Sequence, residues 1–204
     1  MKKVVMFFIC LFAVFTGFSQ NRYVGNICIP YDEAKQDYGY TVIDTVPQTL
    51  DSTIYKNLKC LLSGRFNNSR YAIDISPKEF QIPGYITGSY EMQLLGKQTI
   101  PVSFTVTFNV SVKIRPDKYK IDIFNFKLTT NQQGYGQEYA LKQFFEYNVA
   151  TIDAIGGLGK KNAMSRIIKV NEQVADKINE QVTTLIAEMH NSTHSRISGN
   201  DDNW

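Results

Sequence analysis

Histidine is almost missing from this chain: His190 and His194 are the only two in 204 residues. Both sit where the sequence turns rich in Ser, Thr, Asn and Asp, so they are expected at a ragged C-terminal end. A Ser–His or Cys–His nucleophile needs an imidazole held rigidly against it, which a tail does not supply. The same reasoning argues against a histidine metal site, and no metal or organic cofactor is expected. Cysteine is also scarce, with Cys10, Cys28 and Cys60 alone. That is too few for a structural zinc site of about four ligands. No apolar run reaches the roughly 18 residues that would suggest a spanning helix. Charge of one sign is lacking too, with 22 Lys and Arg against 19 Asp and Glu. A polyanion binder held by bulk charge, nucleic acid included, is therefore not expected.

What is present is globular composition, 43% apolar, 13% aromatic and 20% charged. It excludes a collagenous, wholly disordered or purely coiled-coil chain. The length suits one domain with appendages. The N-terminus has the secretory pattern: basic Met1-Lys2-Lys3, apolar Val4 to Phe15, then Thr16-Gly17-Phe18-Ser19. Residues 1–19 are expected to be a signal peptide cut after Ser19, giving a secreted or periplasmic protein that begins at Gln20. Losing Lys2 and Lys3 lowers the net charge from +3 to +1. Cys10 leaves with the leader. Cys28 and Cys60 remain in a compartment where disulfides persist, so they either pair or stay as two free thiols.

Residues 20–39 read as an extended lead-in with one short strand at Tyr23–Ile29, and residues 40–190 as a single α+β domain. Tyr40 to Val46 is a β-branched run closed by Pro47, hence a strand. A helix follows to Phe66. Thr49 or Asp51 can cap it, and Leu50, Ile54, Leu58, Leu61 and Leu62 recur at spacings of three and four. The period then becomes two, with strands expected at Tyr71–Ile75 and Glu79–Leu94, the latter interrupted at Pro83-Gly84.

The plainest signal is Ile100 to Ile114. Ile100, Val102, Phe104, Val106, Phe108, Val110, Val112 and Ile114 alternate with proline, polar and charged residues. That is an antiparallel strand with one face in the core and one in water. Its outer face, Ser103, Thr105, Thr107, Asn109 and Ser111, is the candidate binding face. After a turn at Arg115-Pro116-Asp117-Lys118 comes a strand, Tyr119–Leu128. Its apolar phase slips between Ile123 and Phe124, as a β-bulge would cause. Residues 129–137 are expected to be a polar loop, aromatic around Tyr135 and Tyr139, and a short helix follows over Leu141–Asn148. Gly156-Gly157-Leu158-Gly159 is a flexible break before a long helix, Lys161–His190, with Met164, Ile167, Ile168, Val174, Ile178, Val182, Leu185, Ile186 and Met189 on one stripe. Residues 191–204 are expected to be a disordered tail.

The order of strand, helix carrying Ile54-Tyr55, and meander turning at Arg115-Pro116-Asp117-Lys118-Tyr119 resembles secreted bacterial domains of unknown function with a TATA-binding-protein-like fold. The resemblance covers about Tyr40 to Leu128, and those domains carry a similar long C-terminal helix. It implies an antiparallel sheet with helices on one face and an envelope or extracellular location in Gram-negative bacteria. It supplies no functional residues, and the name does not imply DNA binding, because function belongs to sites rather than folds.

Other chemistries fit poorly. Gly156 to Lys161 lacks the Gly and the Ser or Thr of a phosphate loop, at Ala154 and Lys161. Lys113, Arg115, Lys118 and Lys120 share a hairpin tip with Asp117 and Asp122, which dilute them. Asp32, Glu33, Asp37, Asp44, Asp74, Glu79 and Glu91 show no spacing that sets two carboxylates at glycosidase distance. The expectation is a non-enzymatic binding module with an envelope protein or glycan partner. The alternative is a carboxylate-based hydrolase or accessory enzyme acting on glycan or peptidoglycan.

Overall fold

The computed structural model describes residues 25–67, 69–93, 98–132, 135–153 and 159–194. The expected signal segment 1–19, the break at Gly156-Gly157-Leu158 and residues 195–204 lie outside the described residues. The strand Thr99–Arg115 (β6) pairs along its length with Glu79–Gln93 (β5) and Lys118–Gln132 (β7), all antiparallel. Alternation along β6 does what it predicts. Val102, Phe104, Val106, Phe108, Val110 and Val112 are buried, whereas Ser103 and Thr107 are exposed.

Tyr40–Thr45 (β3) and Ile73–Ser76 (β4) complete the order β3-β7-β6-β5-β4, and Tyr135–Ala140 (β8) also pairs with β7. The phase slip in β7 is a bulge. Thr107 pairs with Lys127 and Asn109 with Phe124, leaving an extra residue at Asn125, whose φ is 58°. Burial passes from Tyr119, Ile121 and Ile123 to Phe126 and Leu128 across it. The bulge also divides one edge of β7, with residues 118–123 taking β3 and residues 127–132 taking β8. The turn before β7 is two residues, with Asp117 at φ 58°. The Asp117 carbonyl accepts the Val46 N–H at 2.8 Å, tying the hairpin to the end of β3.

The helices Asp51–Phe66 (α1), Leu141–Asp153 (α2) and Gly159–His194 (α3) supply the other layer. From α1, Ile54, Leu58, Leu62 and Phe66 are buried. From α3, Val174, Ala175, Ile178, Val182, Leu185 and Met189 are buried. α3 runs obliquely over the sheet. Gln173 accepts the Glu91 N–H of β5, the Gln181 amide donates to the Thr87 carbonyl, and Asn179 accepts the Tyr40 hydroxyl of β3.

Several expectations need correction. Residues 129–137 are not a loop: β7 continues to Gln132 and β8 starts at Tyr135, because an uncovered stretch of the β7 edge offers main-chain partners that polar residues also take. No strand forms in the described part of Tyr23–Ile29. That segment lies along α3, with the Asn26 N–H on Glu172 and Ile27 and Ile29 buried, while a small hairpin of Tyr31–Asp32 (β1) and Asp37–Tyr38 (β2) follows. Pro83-Gly84 does not interrupt β5, since Pro83 and Gly84 pair with Asn109 and Phe108. Leu50, with no side-chain cap bond, precedes α1, and Asp51 stands in its first turn paired to Lys78. α2 runs past Asn148 to Asp153.

Candidate functional site

The outer face of β6 is less uniform than its sequence. Ser103 and Thr107 are exposed, Thr105 and Asn109 half-buried, and Ser111 is buried at 4% exposure. Ser111 lies between its cross-strand neighbours Gln81 and Asp122, whose longer side chains flank its short one. Tyr85 and Ile73 of the same phase stand exposed on the neighbouring strands. At the hairpin tip Lys113 pairs with Glu79 and Lys120 with Asp122.

Cys28 and Cys60 do not form the disulfide considered above; both are free thiols. Cys28 packs against α3 and donates to Asp176 at 3.4 Å, while Cys60 is exposed on α1. Burial, with the Asp176 carboxylate beside it, pushes the Cys28 thiol up to about 11. It stays a thiol at neutral pH. The carboxylates weighed for hydrolysis are drawn into separate contacts. Asp32 pairs with Lys35, Asp74 with Lys59 and Glu79 with Lys113.

Asp44 has a different company. The expected tail does not begin at residue 191, because α3 continues through His194. Its last turns lie over the end of β3. His190 and His194 are four residues apart, so one helical face presents both. Their rings stack with centroids 3.9 Å apart. His190 Nδ1 is 2.8 Å from Asp44 Oδ2, and His194 Nδ1 is 3.7 Å from the same oxygen. The buried Tyr119 hydroxyl donates to that oxygen at 2.7 Å from β7. Burial raises the Tyr119 phenol well above its ordinary range, so it remains a donor at any physiological pH. Thr193, also buried, places Oγ1 3.3 Å from the Tyr119 hydroxyl.

His194 meets a carbonyl at each ring nitrogen. Nε2 is 3.1 Å from the Thr45 carbonyl oxygen and Nδ1 2.9 Å from that of His190. A neutral imidazole has one N–H and satisfies one of them. With the proton on Nε2, Nδ1 can accept from the Thr193 hydroxyl, whose Oγ1 lies 3.2 Å away. One donor atom each from Asp44, His190 and His194 lies within 4.8 Å of the others, a grouping able to hold a metal ion. The expectation that the two histidines are solvated tail residues fails here. The available signal was the continuation of the helical stripe through Met189 into a His-x3-His spacing. Asp44, 146 residues earlier than His190, carried no local mark.

Neither a protein-family model nor a curated protein matches the chain. Solved structures do. A TBP-like protein from Parabacteroides distasonis aligns with a TM-score of 0.52 at 10% identity, covering 81% of this chain and 97% of that one. A DUF4468 family protein from Bacteroides ovatus aligns with a TM-score of 0.49 at 10% identity, covering 82% and 93%. The fold is α+β, an antiparallel sheet with a long C-terminal helix, and it is TBP-like, as the resemblance implied.

Proposed function

We propose that this protein is an exported, non-enzymatic binding module of the bacterial cell envelope that takes a glycan on the open face of its sheet. The observation that carries this reading is the one-sidedness of the sheet. The phase facing α1 and α3 is buried, while Thr87, Ser89, Ser103 and Thr107 on the other phase are exposed. An open antiparallel face of short hydroxyl and amide side chains, with the Tyr85 ring among them, offers hydrogen bonds and a flat apolar surface. That chemistry suits a neutral sugar chain. The leader-like residues 1–19 support export, and no helix among the described residues is long and apolar enough to cross a membrane.

Cosedimentation of the purified protein with peptidoglycan sacculi tests the reading, with Tyr85→Ala and Thr107→Arg as face variants. Retention that both variants abolish supports it. Retention unchanged in both, or none at all, overturns it. Turnover of the glycan lost on replacing a single Asp or Glu would favour the hydrolase instead. Recovery of a chain beginning at Met1 from the membrane fraction would refute export.

A further inference from the structure

We propose that Asp44, His190 and His194 form a binding site for a single divalent transition-metal ion of the zinc type, separate from the open face of the sheet. Three features of the cluster converge on it. Two nitrogens and one carboxylate oxygen suit zinc and its neighbours, whereas calcium and magnesium take oxygen ligands. Zinc bonds of about 2.0–2.2 Å set tetrahedral ligands roughly 3.3 Å apart. The distances from Asp44 Oδ2 to the two Nδ1 atoms, 2.8 and 3.7 Å, bracket that spacing.

The outer contacts are those a metal site requires. Tyr119 donates to the ligating oxygen from below, in the buried layer. With its proton on Nε2, 3.1 Å from the Thr45 carbonyl oxygen, His194 keeps a lone pair on Nδ1. Last, the site is open: His190 is 44% and His194 32% exposed, so the ion has an entry path and room for water in its remaining positions. Binding at His190 Nδ1 moves that ring's proton to Nε2. It also fastens the last turn of α3 to β3.

The untagged full chain, stripped with chelator, is titrated with zinc chloride and separately with calcium chloride at pH 7.5 by calorimetry. One zinc per chain should bind, with no calcium uptake at the same concentrations. His190→Ala and His194→Ala should each weaken zinc binding by at least about 100-fold, and Tyr119→Phe, which removes an outer contact, by about 10-fold. If the alanine variants do not fold, 15N spectra of the wild-type imidazoles keep the test open, since zinc must move the Nδ1 resonances of both rings. No binding at about 1 mM zinc, affinity unchanged in either alanine variant, or Nδ1 signals that zinc does not move, would each overturn the site.

Discussion

The two faces of β6 share one backbone and differ only in what lies over them. On one side Phe108 meets Phe66 of α1 and Phe126 of β7 with ring centroids 5.7 and 5.4 Å away. On the other, Thr107 stands exposed between Tyr85 and Lys127. The covered face holds its residues to size and shape, because interiors are packed as tightly as organic crystals. The open face constrains only polarity and β propensity. The covered face therefore sets stability, and the open face is free to serve recognition.

The largest expected effect breaks this comparison if it fails. Phe108→Ala should destabilise the fold by about 3–5 kcal/mol through lost burial and the cavity left behind, whereas Thr107→Ala should stay within about 0.5 kcal/mol. Urea denaturation of the two variants measures both. Equal costs would mean that a second layer covers the sheet.

A smaller effect sharpens the comparison at β5. A Cβ on Gly84 would lie 2.5 Å from Phe108 Cε2 and 2.8 Å from Phe66 Cζ, rings that are themselves packed. Gly84→Ala should cost about 1–3 kcal/mol by overpacking, while Ser89→Ala on the open phase should be silent. A Gly84→Ala protein as stable as wild type would show that the aromatic layer yields more than a packed core does.

The smallest effect is expected at the sheet edge, where coverage runs out. Lys59 and Tyr55 of α1 donate to Asp74 of β4 at 2.6 and 2.5 Å, and the lysine bond foremost holds that carboxyl below its ordinary value. A depressed folded pKa contributes stability above the unfolded value and loses it as pH falls through the folded one. Asp74 is fully solvated, so screening keeps the contribution small. Asp74→Asn should lower Tm by no more than about 1 °C at pH 7 and not at all near pH 2. A larger loss at pH 7 would make this edge part of the covered layer in energetic terms.

The legible parts of the molecule are those whose cause is local. The alternation from Ile100 to Ile114 reports a half-buried strand because successive side chains point to opposite faces. The slip at Ile123 and Phe124 reports the bulge at Asn125 because one extra residue inverts that phase. The stripe from Val174 to Met189 reports α3 but not its end, since Ser, Thr and Asn in the last turn carry the composition of a tail. Those polar residues are held by tertiary partners: the Asn57 amide donates to the Ser192 carbonyl, and Thr193 sits against Tyr119.

β8 is illegible in the sequence for a related reason. Its residues carry little pattern of their own, and the free edge of β7 beyond the bulge makes them a strand. The buried state of Ser111 likewise belongs to Gln81 and Asp122 rather than to serine.

The sequence by itself determined the secondary elements with strong periods and the face each one buries. Only the tertiary structure decided which residues meet across the chain. Asp44 and His190 are 146 positions apart and 2.8 Å from each other, Cys28 faces Asp176 rather than Cys60, and the rim of β7 became a double edge. Periodicity is written by the backbone's repeat, which every short window contains. A meeting of distant side chains depends on how α3 crosses the sheet, and no window contains that.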